Sequence, residues 1–136
     1  MSGRELLEEA IKARERAYVP YSDFKVGAAV LTKGGKVFTG CNIENAAFGP
    51  TICAERTAIF KAVSEGYREF RALAVVTATP NPASPCGVCR QVIAEFFQAD
   101  TPIYLGNLQG DLVKSNIEKL LPGAFGARDL AQKGEV

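Results

Sequence analysis

Polar and apolar positions at the start of the chain fall at helical spacing. Leu6, Ala10, Ala13 and Ala17 recur with Glu and Lys between them, behind an S-x-x-E capping box at Ser2 and Glu5. The pattern predicts a helix that continues until Pro20 ends it. The period then shortens to two. Val26, Ala28 and Val30 alternate over 25–31 and predict a strand, and Lys33-Gly34-Gly35-Lys36 turns the chain back into a second strand over 37–42. Residues 46–52, with Gly49 and Pro50, predict a loop. Helical spacing returns over 53–65 through Ala54, Ala58, Ile59, Ala62 and Val63, with Gly66 where a helix should end. Residues 71–77 form a continuous Val-rich run, as expected of a strand covered on both faces. The prolines of 79–85 mark a loop, and 87–97 predict a helix on Val88, Val92, Ile93 and Phe96. A strand over 102–105, a tight turn over 107–111 and an antiparallel strand over 112–114 follow. A short helix over 117–121 stops at Pro122-Gly123, and the last dozen residues read as short and irregular.

Strand–helix–strand units in this order predict an α/β fold, with a central sheet containing parallel pairs and helices on its faces. The length of 136 residues fits one domain, 1–136, that folds without disulfides. Apolar residues make up 47% and charged residues 23%, an ordinary soluble globular profile. Net charge is +1 with no run of Lys or Arg, which excludes the electrostatic footprint of a nucleic-acid partner. Acidic residues come too early for a signal peptide, and the apolar run 72–76 is too short to span a bilayer. A cytoplasmic protein with no membrane partner is expected.

The cysteines change the picture. The chain has four Cys and no His. Clustered cysteines in a reducing compartment read as metal-binding or catalytic. Without His, proton chemistry falls to Glu, Asp, Lys, Tyr or Cys, and a soft-metal site must be built on sulfur. Cys86 and Cys89 stand three apart at the first turn of a predicted helix, on one side and at a common zinc-chelate spacing. Cys53 opens the preceding helix, where the dipole and free N–H groups favour a thiolate. Three thiolates would leave the fourth tetrahedral place open, as catalytic zinc sites do. Cys41, beside Gly40, is either a fourth ligand that closes the site or a small buried apolar residue. A redox role for the Cys86/Cys89 pair also stays open. Glu55, two residues past Cys53, is either a base reaching the open place or an acid favoured at any helix start. Arg56 either offsets thiolate charge by hydrogen-bonding sulfur or makes a surface ion pair.

The text around these residues is more specific than its spacing. C-x-E followed by P-C-x-x-C is the all-cysteine form of the zinc nucleobase deaminase signature. Thr51-Ile52-Cys53-Ala54-Glu55-Arg56-Thr57-Ala58 and Ser84-Pro85-Cys86-Gly87-Val88-Cys89-Arg90-Gln91 resemble the TxCAERTA and SPCGxCRQ blocks of free-nucleoside cytidine deaminases. Phe24-Lys25-Val26-Gly27-Ala28-Ala29 and Gly40-Cys41-Asn42-Ile43-Glu44-Asn45-Ala46 resemble their FxVGAA and GxNxENA segments. Leu121-Pro122-Gly123-Ala124-Phe125 is similar to the C-terminal LLPxxF of the small homotetrameric branch, and the resemblance runs over about 18–130.

The resemblance implies a three-layer α-β-α fold with a central mixed five-stranded sheet. It implies hydrolytic deamination of cytidine and 2′-deoxycytidine to uridine and 2′-deoxyuridine plus ammonia, in pyrimidine nucleoside salvage. Cys53, Cys86 and Cys89 would bind Zn²⁺, with Cys41 outside the ligand set, and Glu55 would shuttle protons. Asn42 and Glu44 would hold the ribose 3′-hydroxyl, Phe24 would pack on the pyrimidine, and backbone at Ala46 and Ala54 would contact base or sugar. Phe125 would cover the base in a neighbouring subunit's site, so a homotetramer is implied, and Arg56 would temper the thiolate charge. Phe48 departs from the Tyr many members carry there, which puts sugar affinity in question. Related enzymes act on antibiotic nucleosides, nucleotides or RNA. The ENA and FxVGAA blocks favour plain pyrimidine nucleosides, and the near-neutral charge disfavours RNA. A zinc-stabilised scaffold without activity would need neither Glu55 nor an open ligand place.

Overall fold

The structure, a computed structural model, describes residues 1–131. Ser2 caps α1 (Gly3–Arg14) reciprocally: the Glu5 N–H donates to its hydroxyl, and its own N–H donates to the Glu5 carboxylate. The helix ends at Arg14, well before Pro20, so Ala17 lies past the end of the helical stripe. A non-local pairing decides this. The Tyr18 N–H donates to the Asn42 carbonyl and the Glu44 N–H donates to the Tyr18 carbonyl, which bridges Tyr18 to Ile43. These bonds satisfy backbone groups that a further helical turn would otherwise use.

β1 (Val26–Thr32) and β2 (Val37–Cys41) form the expected hairpin, followed by β3 (Phe70–Thr77), β4 (Ile103–Asn107) and β5 (Leu112–Ser115). The sheet order is β2-β1-β3-β4-β5. Among the five described strands only β3 and β4 pair in parallel; β1 with β2, β1 with β3, and β4 with β5 are antiparallel. The sheet therefore has one parallel pair rather than several, because β1 is inserted between β2 and β3. α2 (Ala54–Ser64) joins β2 to β3, and α3 (Gly87–Phe96) makes the β3–β4 crossover. Gly66, at φ +97°, follows the end of α2 in the left-handed conformation that glycine adopts freely. α4 (Ile117–Leu120) and the single turn α5 (Ala127–Ala131) complete the described chain. Part of the tail expected to be irregular is thus helical, and 132–136 lie outside the described residues.

Strand pleating sorts the core into two layers. Ala29, Leu31, Ala72, Ala74 and Val76 meet Leu6, Leu7 and Ala10 of α1. Ala28, Val30, Leu73 and Val75 face the other way, onto Ala58, Ile59 and Ala62 of α2 and Ile93 of α3. β3 is buried on both faces, as its unbroken apolar run predicts. Gly40 matters to the site. A Cβ there would lie 2.5 Å from the Ala58 nitrogen and 2.6 Å from the Ala54 carbonyl oxygen, so only glycine lets α2 seat its first turn directly on β2.

Candidate active site

A cavity of about 240 Å³ opens between the start of α2 and the end of β3. Phe24, Asn42, Cys53, Ala54, Glu55, Thr77, Ser84 and Cys86 are among the residues that line it. Cys53 occupies the cap of α2 and Cys86 the cap of α3, both with extended backbone. Neither side chain caps the backbone N–H groups of its own helix, which leaves both sulfurs turned toward each other. Two helix N-termini thus converge, as the spacing suggested, and their dipoles favour negative charge at the meeting point.

The sulfurs of Cys53, Cys86 and Cys89 all lie within 4.8 Å of one another, and Cys53 Sγ is 3.6 Å from Cys86 Sγ. Tetrahedral zinc with bonds near 2.3 Å sets its sulfurs about 3.8 Å apart, so the arrangement fits that ion. Arg56 Nη2 donates to Cys53 Sγ at 3.4 Å, while its buried Nε has no partner among the described residues. This guanidinium serves the sulfur cluster and makes no surface ion pair among the described residues. Cys41 ends β2 and stands outside the cluster, so among the described residues it adds no fourth sulfur to the group. Burial raises the Cys41 thiol pKa, as suits a packing residue.

The thiols are already polarised. A hydrogen bond from Cys89 holds Cys53 down to about 5, with Arg56 and Cys86 helping against burial. The same bond, together with burial, pushes Cys89 upward. Glu55 is 4% exposed. Burial pushes its carboxyl up to about 7, with the Cys53 charge adding and its own backbone N–H and Arg56 opposing. A carboxyl that titrates near neutrality suits a group that must both take and give a proton.

This shift sets a pH dependence in the metal-free chain. With the folded pKa above the usual 4.5, the native state holds the extra proton between 4.5 and about 7, so stability falls as pH rises through that window. The full shift corresponds to about 3 kcal/mol. Cys53 acts in the opposite sense, but it is present in both proteins of a comparison with Glu55→Gln. Urea melts of zinc-stripped protein at pH 5 and pH 8 should show wild type losing stability relative to Glu55→Gln. Equal pH slopes would contradict a buried, neutral Glu55.

The other expected residues divide between places. Asn42 and Phe24 line the cavity with Ala54. Asn42 Oδ1 accepts from the Val26 N–H at 2.8 Å and Nδ2 donates to the Phe24 carbonyl at 2.7 Å, so one N–H and one lone pair remain. Glu44 lines an adjoining depression with Tyr21, Ser22 and Phe48, and Thr51 lines both hollows. Its carboxylate accepts from the Tyr21 and Ser22 N–H groups and from the Ser22 hydroxyl, and the hydroxyl bond first of all lowers its pKa. Ala46 sits on the exposed loop that follows, away from the cavity wall. Phe125 is 56% exposed and lines a separate groove beyond α3. Sequence reasoning overlooked Ser22, Thr77 and Ser84. The Ser22-Asp23 pair was a turn signal, and Asp23 is left-handed at φ 56°.

Residues 2–105 match the model of the cytidine and deoxycytidylate deaminase zinc-binding region. The chain belongs to this deaminase family. The matched span holds Glu55 and all three clustered cysteines, and zinc is the family's metal. A cytidine deaminase from Sporosarcina psychrophila is 58% identical over 135 residues, covering 99% of each chain. One from Halalkalibacterium halodurans is 60% identical over 130 residues, 96% of this chain and 98% of that one. The crystal structure of cytidine deaminase from Burkholderia pseudomallei superposes with a TM-score of 0.89 at 53% identity, covering 92% of this chain and 100% of that one. The deaminase fold and its mixed five-stranded sheet are therefore those expected.

Proposed function

We propose that this chain hydrolytically deaminates cytidine and 2′-deoxycytidine to the corresponding uridines, releasing ammonia. The observation that carries the reading is a buried carboxyl, Glu55, on the wall of a cavity shared with Cys53 and Cys86. Cys53, Cys86 and Cys89 would hold zinc. Zinc bound there supplies a Lewis acid that lowers the pKa of water toward neutrality.

The chain's own groups do the rest. Glu55 takes a proton from the attacking water and gives it to N3 of the pyrimidine, which makes C4 electrophilic. It then carries the proton of the new C4 hydroxyl to the departing amino group. Arg56 holds Cys53 and balances the excess thiolate charge. The Phe24 ring lies along the base, backbone at Ala54 meets base or sugar, and Ala46, on its exposed loop, would reach only the part of the nucleoside that projects from the cavity. Asn42, with one donor and one acceptor unused, and Glu44, already braced by Ser22, hold the 3′-hydroxyl that both nucleosides share. Among the described residues no Lys or Arg lines the cavity, so a 5′-phosphate finds no counter-charge from them.

The proposal extends to a homotetramer acting in cytoplasmic pyrimidine salvage, in which Phe125 covers the base in a neighbouring subunit's site. Its support is the exposure of Phe125 together with Tyr18, Tyr21, Phe24 and Phe48. Phe48 is 78% exposed and stands edge-on to Tyr21, 6.5 Å between centroids, beside Glu44. Phe48→Tyr adds a hydroxyl toward the sugar, and KM for cytidine should fall about threefold with kcat unchanged. An unchanged KM would remove the sugar contact from the reading.

The function is tested by following the absorbance of cytidine with purified protein, with and without a zinc chelator. Loss of the cytidine band with release of ammonia, abolished by the chelator, supports reaction and metal together. No turnover by zinc-loaded protein counts against cytidine as substrate.

A further inference from the structure

Arg90 follows Cys89 directly, and its side chain makes two bonds to backbone carbonyls, one five positions back and one 30 positions ahead. Its Nε donates to the Pro85 carbonyl at 2.7 Å, and its Nη1 donates to the Leu120 carbonyl at 2.6 Å. The first carbonyl belongs to the peptide that enters Cys86, so its orientation sets where Cys86 Sγ points. The second is one of the terminal carbonyls of α4, which no further helical turn satisfies. Gln91, next along α3, donates from Nε2 to the Phe125 carbonyl at 2.8 Å. Adjacent side chains of α3 therefore grip both ends of segment 120–125. One of them also grips the turn that carries two of the three clustered sulfurs.

We propose that Arg90 is a positioning residue: its guanidinium locks the Pro85–Cys86 turn to the α4 terminus, so metal retention and the placement of Phe125 are set together. This rests on the functional reading above only for the part played by Phe125. Arginine suits the task because its planar fork donates along two fixed directions, and both bonds are charge-assisted. Methionine would fill similar space and donate nothing. Lysine would carry the charge as a single point and reach one carbonyl at a time.

Zinc-loaded wild type, Arg90→Met, Arg90→Lys and Gln91→Leu are to be compared for zinc release to excess 4-(2-pyridylazo)resorcinol and for cytidine kinetics. Arg90→Met should release zinc at least about tenfold faster, as loss of a group supporting a ligand does. Its KM should rise roughly tenfold with kcat much less changed, because the Phe125 segment is misplaced while Glu55 is untouched. Arg90→Lys should fall between Arg90→Met and wild type in both. Gln91→Leu should raise KM and leave zinc release at the wild-type rate. Wild-type release or wild-type KM in folded Arg90→Met overturns the clamp. If Arg90→Met does not fold, wild-type values for both in Arg90→Lys overturn it, and so does equally fast release from Gln91→Leu. Absence of turnover by zinc-loaded wild type would fail the functional reading instead, leaving the release comparison to decide the clamp.

Discussion

Exchange of Glu55 for alanine is expected to leave about one zinc per chain while lowering kcat by more than ~10⁴, beyond the usual effect of one acid–base group. The excess arises because one carboxyl serves both proton transfers. The chain has no His to substitute. Among the described residues the other titratable side chains on the cavity wall are Cys53 and Cys86, which would hold the metal. Glu44 lines the neighbouring hollow and is held by Ser22 and Tyr21. Removal of a carboxyl that is 4% exposed also removes the penalty of its burial, so the variant should be no less stable than wild type. The check is kcat by absorbance beside elemental analysis and a thermal melt. A zinc-replete, folded variant with kcat within tenfold of wild type would sink the mechanism.

Cys89→Ala should have the second large effect, and of a different kind. Cys89 is fully buried and is the innermost of the three sulfurs. Without it two thiols remain, too few to hold zinc against solvent. The variant is expected to carry no stoichiometric zinc and to show only background turnover. Stability should fall as well, since an ion bound only by the native state adds about 4 kcal/mol at a thousandfold excess over its Kd. For a chain this size that corresponds to a loss of roughly 14 °C in Tm. The decisive comparison uses a chelator: it should lower the Tm of wild type and leave that of Cys89→Ala unchanged. Full zinc in Cys89→Ala would overturn the ligand assignment.

Features decided by near neighbours could be read directly from the sequence. The Ser2/Glu5 box, Gly66, the turn over 107–111 and the buried run of β3 are local signals, and each stands where expected. The end of α1 was not legible, because Ile43 decides it from across the fold. Nor was the position of β1 between β2 and β3, which turned several expected parallel pairs into one. In the site, the clustering of Cys53, Cys86 and Cys89 followed from spacing and helix starts. The bracing did not. Ser22 reaches Glu44 across 22 positions, and Arg90 reaches Leu120 across 30, between residue types that no short motif links.

The sulfur-only donor set has one further consequence, and it is optical. Zinc has a filled d shell and absorbs no visible light, so a loaded site is colourless. Cobalt(II) accepts the same tetrahedral thiolate surroundings, and its d–d and sulfur-to-metal charge-transfer bands make such sites green to blue. Replacing zinc by cobalt would turn the meeting point of α2 and α3 into a chromophore, so that filling and emptying could be watched by eye with no nucleoside present.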